Sequence, residues 1–372
     1  GFRHILEIAR QSVPEGYGNS YFWGKPERIV PLELVFEVGG RLDFRGNALR
    51  ALDENSVRVA ARRLRSQGVR AVGVCLIHSY ANPTHELRVR EILLQEYPEV
   101  AVSLSCEVLP EYREYERAMT TLVDAFVKPH MSRYLRRISE ELGSGLREKP
   151  FLVMQSSGGV MSSQQVVRKP IATALSGPAA GALGSVVIAK IAGFEDVVTL
   201  DAGGTSTDIC LIESGVAKIT NSGSVGPFPV RIPMIDVRTV GTGGGSIAWI
   251  TREGHLKVGP RSAGAVPGPM CYPEGGDQPT ITDANLVLGR IPDALIGGGI
   301  RLDSRRAREG IADLGRRLKS GMSVEQLAEG IIEIANWNQA NCIRQITIQR
   351  GIDPRGFALL SFGGSGPAQS PA

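Results

Sequence analysis

The feature that most constrains this fold is a pair of apolar runs joined by a polar turn centred on two glycines. Residues 197–200 enter the turn and residues 209–212 leave it. The turn itself reads Asp201-Ala202-Gly203-Gly204-Thr205-Ser206-Thr207-Asp208. Two apolar runs around a Gly-Gly pair predict a β-hairpin. An acid stands at each end of the turn, so its chemistry is constrained as well as its shape.

This turn suits a phosphate group. Glycines let backbone N–H groups approach an anion closely, and serine and threonine hydroxyls add further donors. The carboxylates of Asp201 and Asp208 would repel a bare phosphate, so they fit only if Mg²⁺ lies between them and the ligand. The residues therefore favour the phosphate hairpin of an ATP-binding cleft. An ordinary hairpin with a tight Gly-Gly turn remains the alternative.

Composition narrows the class of protein. The chain has 372 residues, of which 42% are hydrophobic and 22% charged, as expected for a soluble globular protein of two or three domains. A net charge of +4 gives no reason to expect nucleic acid or a membrane as a partner. The five cysteines include no CxxC pair, and no apolar run reaches transmembrane length. We therefore expect reduced thiols and a cytoplasmic location.

The N-terminal half predicts an α/β layer followed by a long helix. In order, we expect a strand at 32–38, a helix capped by Asp53, a strand at 69–77, a helix opened by Asn82-Pro83 and a strand at 100–104. Residues 111–143 predict a helix that Pro129 kinks or breaks. Arg113 and Arg117 lie one turn apart on it, either on a solvated face or facing a cleft.

The second half concentrates the glycines. Four of the five residues 241–245 are glycine, and glycine costs about 1 kcal/mol relative to alanine in regular structure. Core packing does not explain this run, so Gly243, Gly244 and Gly245 predict a second loop for an anion or a substrate. Further candidates are Arg261, Cys271, which is either reactive or a metal ligand with His255, and Asp283, which is a substrate contact or only a helix cap.

The last segment predicts a helix and then a strand. Ser323 and Gln326 form a capping box for a helix that runs to about residue 350. Asn336, Asn338 and Asn341 interrupt its good helix formers, and we expect them to form hydrogen bonds across a domain junction. A strand at 357–362 then leads into a glycine-rich turn at 363–367.

The order of these parts resembles the actin/Hsp70/sugar-kinase ATPase superfamily. In that superfamily the hairpin matches the second phosphate hairpin, and the turn at 363–367 matches the adenosine loop. More narrowly, nearly the whole chain resembles the A subunit of the hydantoinase/oxoprolinase family. The matching stretches are residues 106–117, 155–159, 176–181, 201–208, 241–246, 261–272, 282–290 and 350–367.

The resemblance implies an α/β fold of actin-like ATPase (ribonuclease H-like) domains with an additional α/β layer in the N-terminal half. Residues 1–175 would form part of the family's N-terminal region, and residues 176–372 the ATPase domain. It also implies an enzyme that uses ATP and Mg²⁺ to phosphorylate the amide oxygen of a cyclic amide, such as 5-oxoproline or a hydantoin, before ring opening. A B-type subunit or domain and an oligomeric assembly would complete it.

The resemblance also assigns roles to residues of the motifs. Asp201 and Asp208 would be the catalytic acids and would hold Mg²⁺, directly or through water. The remaining predicted ligand contacts fall into two groups. Gly203, Gly204, Thr205, Ser206, Thr207, Gly243, Gly244, Gly245, Gly363, Gly364 and Gly366 would contact the nucleotide; Arg113, Arg117, Arg261 and Asp283 would contact the substrate.

This chain departs from the family pattern in one respect. The family begins with another hairpin of the form DxGGTxTD, and this sequence does not contain it. We therefore expect the 372-residue chain alone not to turn over ATP. The alternatives that stay open are a sugar or acid kinase relative, a subunit of an ATP-dependent ketone carboxylase and a non-catalytic nucleotide-binding fragment.

Overall fold

A computed structural model describes residues 2–10, 27–142, 150–294 and 299–369. In chain order the helices are α1 (Ile5–Ile8), α2 (Glu54–Ser66), α3 (Thr84–Glu96), α4 (Ser105–Val108), α5 (Glu114–Glu141), α6 (Ser163–Arg168), α7 (Ser176–Ala192), α8 (Ile281–Val287), α9 (Ser304–Leu318), α10 (Val324–Ile346) and α11 (Gly366–Gln369). Within the described ranges, none of these helices combines the length and apolar character that a membrane crossing requires.

The strands follow the same order. They are β1 (Arg41–Leu42), β2 (Ala48–Arg50), β3 (Ala71–Val74), β4 (Ala101–Leu104), β5 (Leu152–Met154), β6 (Val160–Ser162), β7 (Val197–Ala202), β8 (Thr207–Glu213), β9 (Val216–Ala217), β10 (Ile219–Thr220), β11 (Gly223–Val225), β12 (Phe228–Val230), β13 (Met234–Ile235), β14 (Val237–Val240), β15 (Ser246–Ile250), β16 (Leu256–Ser262) and β17 (Ala358–Phe362).

The chain divides into two compact units. The first contains Gly1–Ser176 and Ile219–Met234, and the second contains Gly177–Lys218 and Ile235–Ala372. The first unit thus takes in a short excursion, strands β10 to β12, from the second half of the sequence. The assignment of residues 1–175 and 176–372 to two family domains stays a prediction.

The first unit contains the predicted α/β layer. Strands β3 and β4 pair in parallel, and helices α2 and α3 bury apolar residues such as Val57 and Ile92 against them. Asp53 caps α2 as expected, because its carboxylate accepts hydrogen bonds from Asn55 N and Ser56 N. A second apolar cluster in this unit packs α5 against the β11–β12 hairpin through Val123, Val225 and Val230.

The centre of the second unit is a sheet in the order β14-β8-β7-β17, with β9 added to β8. Strands β14, β8 and β7 are antiparallel neighbours, whereas β17 runs parallel to β7. The period of two along a strand sends alternate residues of β8 to opposite faces. Cys210 and Ile212 pack in the cluster with α7, and Ile209 and Leu211 pack with Cys342 of α10.

A separate core in the second unit joins three helices to a hairpin. Apolar residues of α8, α9 and α10 pack together and against the β15–β16 hairpin. Helix α10 begins at the predicted capping box of Ser323 and Gln326. It therefore contacts the sheet near its C-terminus and the α8–α9 helices near its N-terminus, so one long element spans both cores of this unit.

Two local predictions are wrong, and a third is decided only in part. Residues 32–38 form a 3₁₀ turn over Leu32–Leu34 and then no regular structure, instead of a strand, because alternation alone provides no pairing partner. Helix α5 is not broken at Pro129, since its packed residues hold the helix despite the missing amide hydrogen, whereas a kink at Pro129 stays a prediction. Asn338 does not bridge a domain junction; its side chain donates to Val258 O within the second unit.

Candidate functional site

The predicted hairpin is formed by β7 and β8. Asp201 and Asp208 lie directly opposite each other in its antiparallel register. Because β17 is parallel to β7 and pairs Phe362 with Asp201, the carboxyl ends of both strands meet at one edge of the sheet. In open α/β sheets, ligands bind outside the carboxyl ends of parallel strands. The edge that carries the two acids therefore lies where a ligand is expected.

Among the described residues, no basic side chain pairs with either of the two acids. Burial raises the pKa of the Asp201 carboxyl. Burial also raises the pKa of Asp208, a hydrogen bond from Thr239 lowers it, and the nearby charge of Asp201 raises it further. That bond runs from Thr239 Oγ1 to Asp208 Oδ1 at 2.5 Å. Both carboxyls therefore have raised pKa values, and no positive charge within the described ranges lowers them. Such a pair is matched electrostatically to a cationic ligand.

The tip of the hairpin offers backbone donors. Gly203 N is used within the turn, where it donates to Ser206 O at 2.9 Å. The amides of Gly204 and Thr205 donate to no acceptor in the described part of the chain, and both residues are exposed. A Cβ at Gly204 would meet nothing within 4 Å. These two amides are free to bind an anion.

The second glycine run packs its backbone against the hairpin. Gly244 N donates to Gly203 O at 2.9 Å, and Gly245 N donates to Gly204 O at 2.6 Å. A Cβ on Gly243 would lie 2.7 Å from Gly203 O, which is closer than side chains tolerate. The glycines are thus required for close backbone contact. Since Gly243 N also donates, to Ser246 Oγ, direct anion binding by these amides stays a prediction.

The third loop follows β17 and lies against Asp201. Gly363 has a φ of +89°, and a Cβ there would lie 2.5 Å from Asp201 Oδ1. Ser365 N donates to Ala202 O at 2.8 Å, which fixes this loop to the end of β7. Gly364 is exposed with open space beside it. Glycine at position 363 is therefore demanded both by the backbone angle and by the adjacent carboxylate.

Two threonines at this edge differ from each other. Thr205 is exposed at the hairpin tip, as a phosphate contact requires. Thr207 is buried, and its hydroxyl donates to Thr242 O and accepts from Gln339 Nε2 at 3.0 Å. The alternation along β8 turns the Thr207 hydroxyl inward, and its predicted phosphate contact stays a prediction.

Sequence reasoning did not select Thr239 or Gln339. Thr239 lies on β14 directly across from Asp208, so it would have been identified if the pairing of residues between β14 and β8 had been known. Gln339 lies on the helix face that also buries Ala335 and Cys342. A glutamine on an apolar helix face is unusual, and that pattern could have indicated a buried hydrogen-bonding role.

Arg113 and Arg117 both belong to the first unit. Arg117 is fully buried, and its guanidinium donates to Leu76 O at 2.6 Å and Glu111 O at 3.2 Å. Arg113 is exposed, with its guanidinium 5.6 Å from the ring centre of Tyr112. Arg117 therefore binds backbone carbonyls inside its own unit, and the substrate contacts predicted for both residues stay predictions.

Two further substrate candidates belong to the second unit. Arg261 is exposed on β16. Asp283 is fully buried and accepts from Cys271 N at 2.8 Å and Thr280 N at 2.8 Å. The contacts of Asp283 are those of a capping residue that also ties down the loop before α8. Its predicted role toward a substrate, like that of Arg261, stays a prediction.

A metal site at Cys271 has no support from its surroundings. The thiol is fully buried, and burial raises its pKa, which disfavours the thiolate that binds metals. His255, the suggested co-ligand, is exposed. Nor do the described residues contain any group of three or more His, Cys, Asp or Glu side chains that could hold an ion.

The hairpin edge, by contrast, fits Mg²⁺ delivered with a nucleotide. Mg²⁺ usually binds through one or two carboxylates, water and substrate phosphates, without a complete protein cage. Asp201 and Asp208 supply the carboxylates, and the free amides of Gly204 and Thr205 supply phosphate donors. The donor set on this edge therefore matches a magnesium–phosphate ligand.

Comparisons with known proteins cover almost the entire chain. Residues 1–97 match the family model for the hydantoinase/oxoprolinase N-terminal region, and residues 117–372 match the model for hydantoinase/oxoprolinase. The caprolactamase subunit alpha of Pseudomonas jessenii is 39% identical over 370 residues, which cover 98% of this chain and 52% of that protein. The chain thus spans about half the length of the curated relatives it matches, 55% and 52% for two of them.

Two solved structures resemble the chain closely. Nucleotide-free acetone carboxylase, studied for ATP-dependent acetone carboxylation, matches with a TM-score of 0.86 at 29% identity, over 100% of this chain and 53% of that one. The ATP-dependent caprolactamase of P. jessenii matches with a TM-score of 0.77 at 38% identity, over 98% of this chain and 53% of that one. The mixed helix and sheet fold is common to all three.

Proposed function

This chain belongs to the hydantoinase/oxoprolinase family, and from that premise we propose that it is the nucleotide-binding part of an ATP-dependent hydrolase of cyclic amides. The substrate class would be that of 5-oxoproline, hydantoins and lactams. The name of the caprolactamase relative supports this class, since caprolactam is a cyclic amide. The second unit would have the actin-like ATPase fold, with the adenosine bound at Gly363, Gly364 and Gly366.

One observation carries the proposal: on one sheet edge, an acid pair with no cationic partner among the described residues lies beside backbone donors that those residues leave unused. Asp201 and Asp208 face each other across the hairpin, and both carboxyls have raised pKa values. Gly204 N and Thr205 N make no hydrogen bond within the described residues. Mg²⁺ would relieve the repulsion between the acids, and phosphate oxygens would accept from the two amides.

When bound, Mg·ATP supplies a phosphoryl group for the amide oxygen, which makes the ring C–N bond hydrolysable. The chain's own residues contribute placement and charge, as phosphoryl transfer requires. Asp201 and Asp208 would hold Mg²⁺, directly or through water, or would orient the attacking group. Thr239 fixes the rotamer of Asp208 through its 2.5 Å hydrogen bond. The packed glycine loop at 241–246 keeps the hairpin tip rigid.

The wider assembly follows from the relatives. The caprolactamase relative is described as a subunit, and so are the carboxylase relatives. We therefore infer that this protein works with a B-type partner subunit or domain in an oligomer. All five cysteines are free thiols, which supports a reducing compartment such as the cytoplasm.

An ATP-dependent ketone carboxylase is the second candidate. The high structural similarity to acetone carboxylase favours it, and the acetophenone carboxylase gamma subunit of Aromatoleum aromaticum is 38% identical over 92% of this chain. Both reactions begin by activating a carbonyl oxygen with ATP, so the hairpin edge alone does not distinguish them.

Product analysis with the full-length protein and its co-purifying subunits separates the candidates. The protein is incubated with Mg·ATP and, in parallel, with 5-oxoproline, a hydantoin, caprolactam, or a ketone with bicarbonate. Ring opening with release of ADP is the expected result. A carboxylated ketone would support the carboxylase, and a stable phosphorylated substrate would support a kinase. Absence of Mg·ATP binding would contradict every one of these assignments.

A further inference from the structure

Gln339 lies at the centre of a buried hydrogen-bond chain in the second unit. Its side chain is 2% exposed, and Nε2 donates to Thr207 Oγ1 at 3.0 Å and to Gln369 Oε1 at 2.8 Å. Thr207 Oγ1 in turn donates to Thr242 O, and Gln369 Nε2 donates to Ser365 Oγ. One amide on α10 thereby joins the hairpin, the 241–246 loop and the loop after β17.

The chain has a fixed direction. The Thr207 hydroxyl gives its only hydrogen to Thr242 O, so it must accept from Gln339. Both hydrogens of Gln339 Nε2 are then used, one toward Thr207 and one toward Gln369. Rotating the Gln339 amide by half a turn would place its oxygen against the oxygen of Gln369. The donors and acceptors therefore specify a single arrangement of these loops.

Packing alone does not account for a glutamine at this position. Its neighbours on the same face of α10, Ala335 and Cys342, are buried among apolar side chains. Within the part of the chain that the structure describes, Gln339 Oε1 has no hydrogen-bond partner despite its burial. A buried polar atom without a partner is unfavourable by about 1–3 kcal/mol. An apolar residue would avoid this penalty, so the amide group is retained for its two donors.

We propose that Gln339 is a positioning residue that aligns the loop at 363–366 with the phosphate hairpin. In the function proposed above, on which this inference rests, the hairpin binds the phosphates and the loop at 363–366 binds the adenosine of the same nucleotide. Loss of the amide leaves the β7–β17 pairing and the Ser365 N–Ala202 O bond in place. It removes the side-chain link that ties the loop at 363–366, through α10, to Thr207 of the hairpin. Mg·ATP then binds to an edge that is no longer preorganised.

The test uses the full-length protein with its co-purifying subunits and calorimetric titration with Mg·ATP. Gln339→Met keeps the length and volume of the side chain and removes both donors. Gln369→Met breaks the same chain one residue further along. Asn338→Met is the matched control, because Asn338 is adjacent on α10 and donates to Val258 O at 3.2 Å, outside the chain of Thr207, Gln339 and Gln369.

We expect Gln339→Met to weaken Mg·ATP binding about tenfold, a typical effect for residues in one network. Gln369→Met should act similarly, and the double variant should be no weaker than either single one. Asn338→Met should stay within about twofold of wild type. Where turnover is measurable, the KM for ATP should rise while thermal unfolding of Gln339→Met stays close to that of the control.

Two outcomes would overturn the positioning role. One is an affinity of Gln339→Met equal to that of Asn338→Met, and the other is strict additivity with Gln369→Met. If Gln339→Met does not fold, normal affinity in Gln369→Met alone would overturn it. Failure of the wild-type protein to bind Mg·ATP is a different result, since it removes the proposed function itself.

Discussion

Both units have a carboxylate beside the carboxyl end of a strand, but the hydrogen bonding of the two carboxylates differs. In the first unit, Glu86 is fully buried and accepts from Leu76 N at 2.7 Å, Ser105 Oγ at 2.7 Å and Cys106 N at 2.8 Å. In the second unit, Asp208 accepts one side-chain bond, from Thr239, and faces Asp201. The acid of the first unit is satisfied, and the acids of the second are not.

The difference separates a structural acid from a functional one. Glu86 binds the backbone after β3 and after β4, so its charge holds two parallel strand ends together. Asp201 and Asp208 repel each other, and burial raises the pKa of each carboxyl. A fold tolerates such a pair where a ligand supplies the missing positive charge. The number of hydrogen bonds that an acid accepts thus indicates a ligand site better than the burial of the acid or its position in the sheet.

The largest expected effect is the loss of ATP turnover on substitution of Asp201. In the full-length protein, Asp201→Ala should abolish ATP turnover, a loss of about a thousandfold, because one of the two metal-holding charges is removed. The fold should remain intact, since the remaining acid loses a repulsive neighbour. Steady-state ATPase assays and circular dichroism measure the two effects. Asp196→Ala, at an acid whose carboxylate accepts from Ser214 N, is the control, and near-wild-type turnover in Asp201→Ala would refute the assignment.

At Glu86 we expect a loss of stability, in contrast to the loss of turnover with an intact fold at Asp201. Glu86→Ala should lower the free energy of unfolding by about 3 kcal/mol, because one buried donor and two partly buried donors lose a charged acceptor. Urea denaturation monitored by fluorescence measures this loss. Asp201→Ala measured in the same way should show no comparable destabilisation. Equal stability losses in the two variants would remove the distinction between the two kinds of acid.

Two glycines of the second unit, Gly243 and Gly204, should differ in how much stability is lost when each is replaced by alanine. Gly243→Ala places a Cβ 2.7 Å from Gly203 O, so it should reduce stability by about 1–3 kcal/mol. Gly204→Ala meets nothing within 4 Å and should leave stability unchanged within about 0.5 kcal/mol. Thermal unfolding of the two variants gives the difference. Comparable behaviour would mean that the 241–246 loop does not pack on the hairpin as described.

The smallest effect is the pH dependence of Asp208→Asn without Mg²⁺ or nucleotide. Burial raises the folded-state pKa of Asp208 above its unfolded value of about 3.9. Wild type therefore loses stability from this group as the pH rises from below about 3.9 through the raised pKa. The asparagine variant lacks this loss and can still accept from Thr239. Its stability advantage in urea titrations should grow across that range; an advantage that shrinks with rising pH would contradict the raised pKa.

Local patterns in the sequence predicted much of the second unit. The Gly-Gly turn between apolar runs predicted β7 and β8, and the capping box of Ser323 and Gln326 predicted where α10 begins. These signals are local, because turn and cap chemistry depend on neighbours in the chain. The family resemblance supplied the ligand, and the matching family models confirm that resemblance.

The parts that escaped prediction depend on contacts between distant residues. The Thr207 hydroxyl bonds to Thr242 and Gln339, which lie 35 and 132 residues away in sequence, and no local pattern indicates either partner. The role of glycines 243–245 in packing on the hairpin follows only from the approach of two loops. The 3₁₀ turn at Leu32–Leu34 replaced a strand because alternation alone does not provide a pairing partner.

The most direct test of the account is hydrogen–deuterium exchange of the full-length protein with and without Mg·ATP. The amides of Gly204 and Thr205 make no hydrogen bond within the described residues, so peptides covering 203–206 should exchange rapidly in the free protein. We predict that saturating Mg·ATP slows exchange in these peptides, and that Asp201→Ala removes this protection. Mg·ATP binding that leaves exchange at 203–206 unchanged would contradict the claim that this hairpin holds the phosphates.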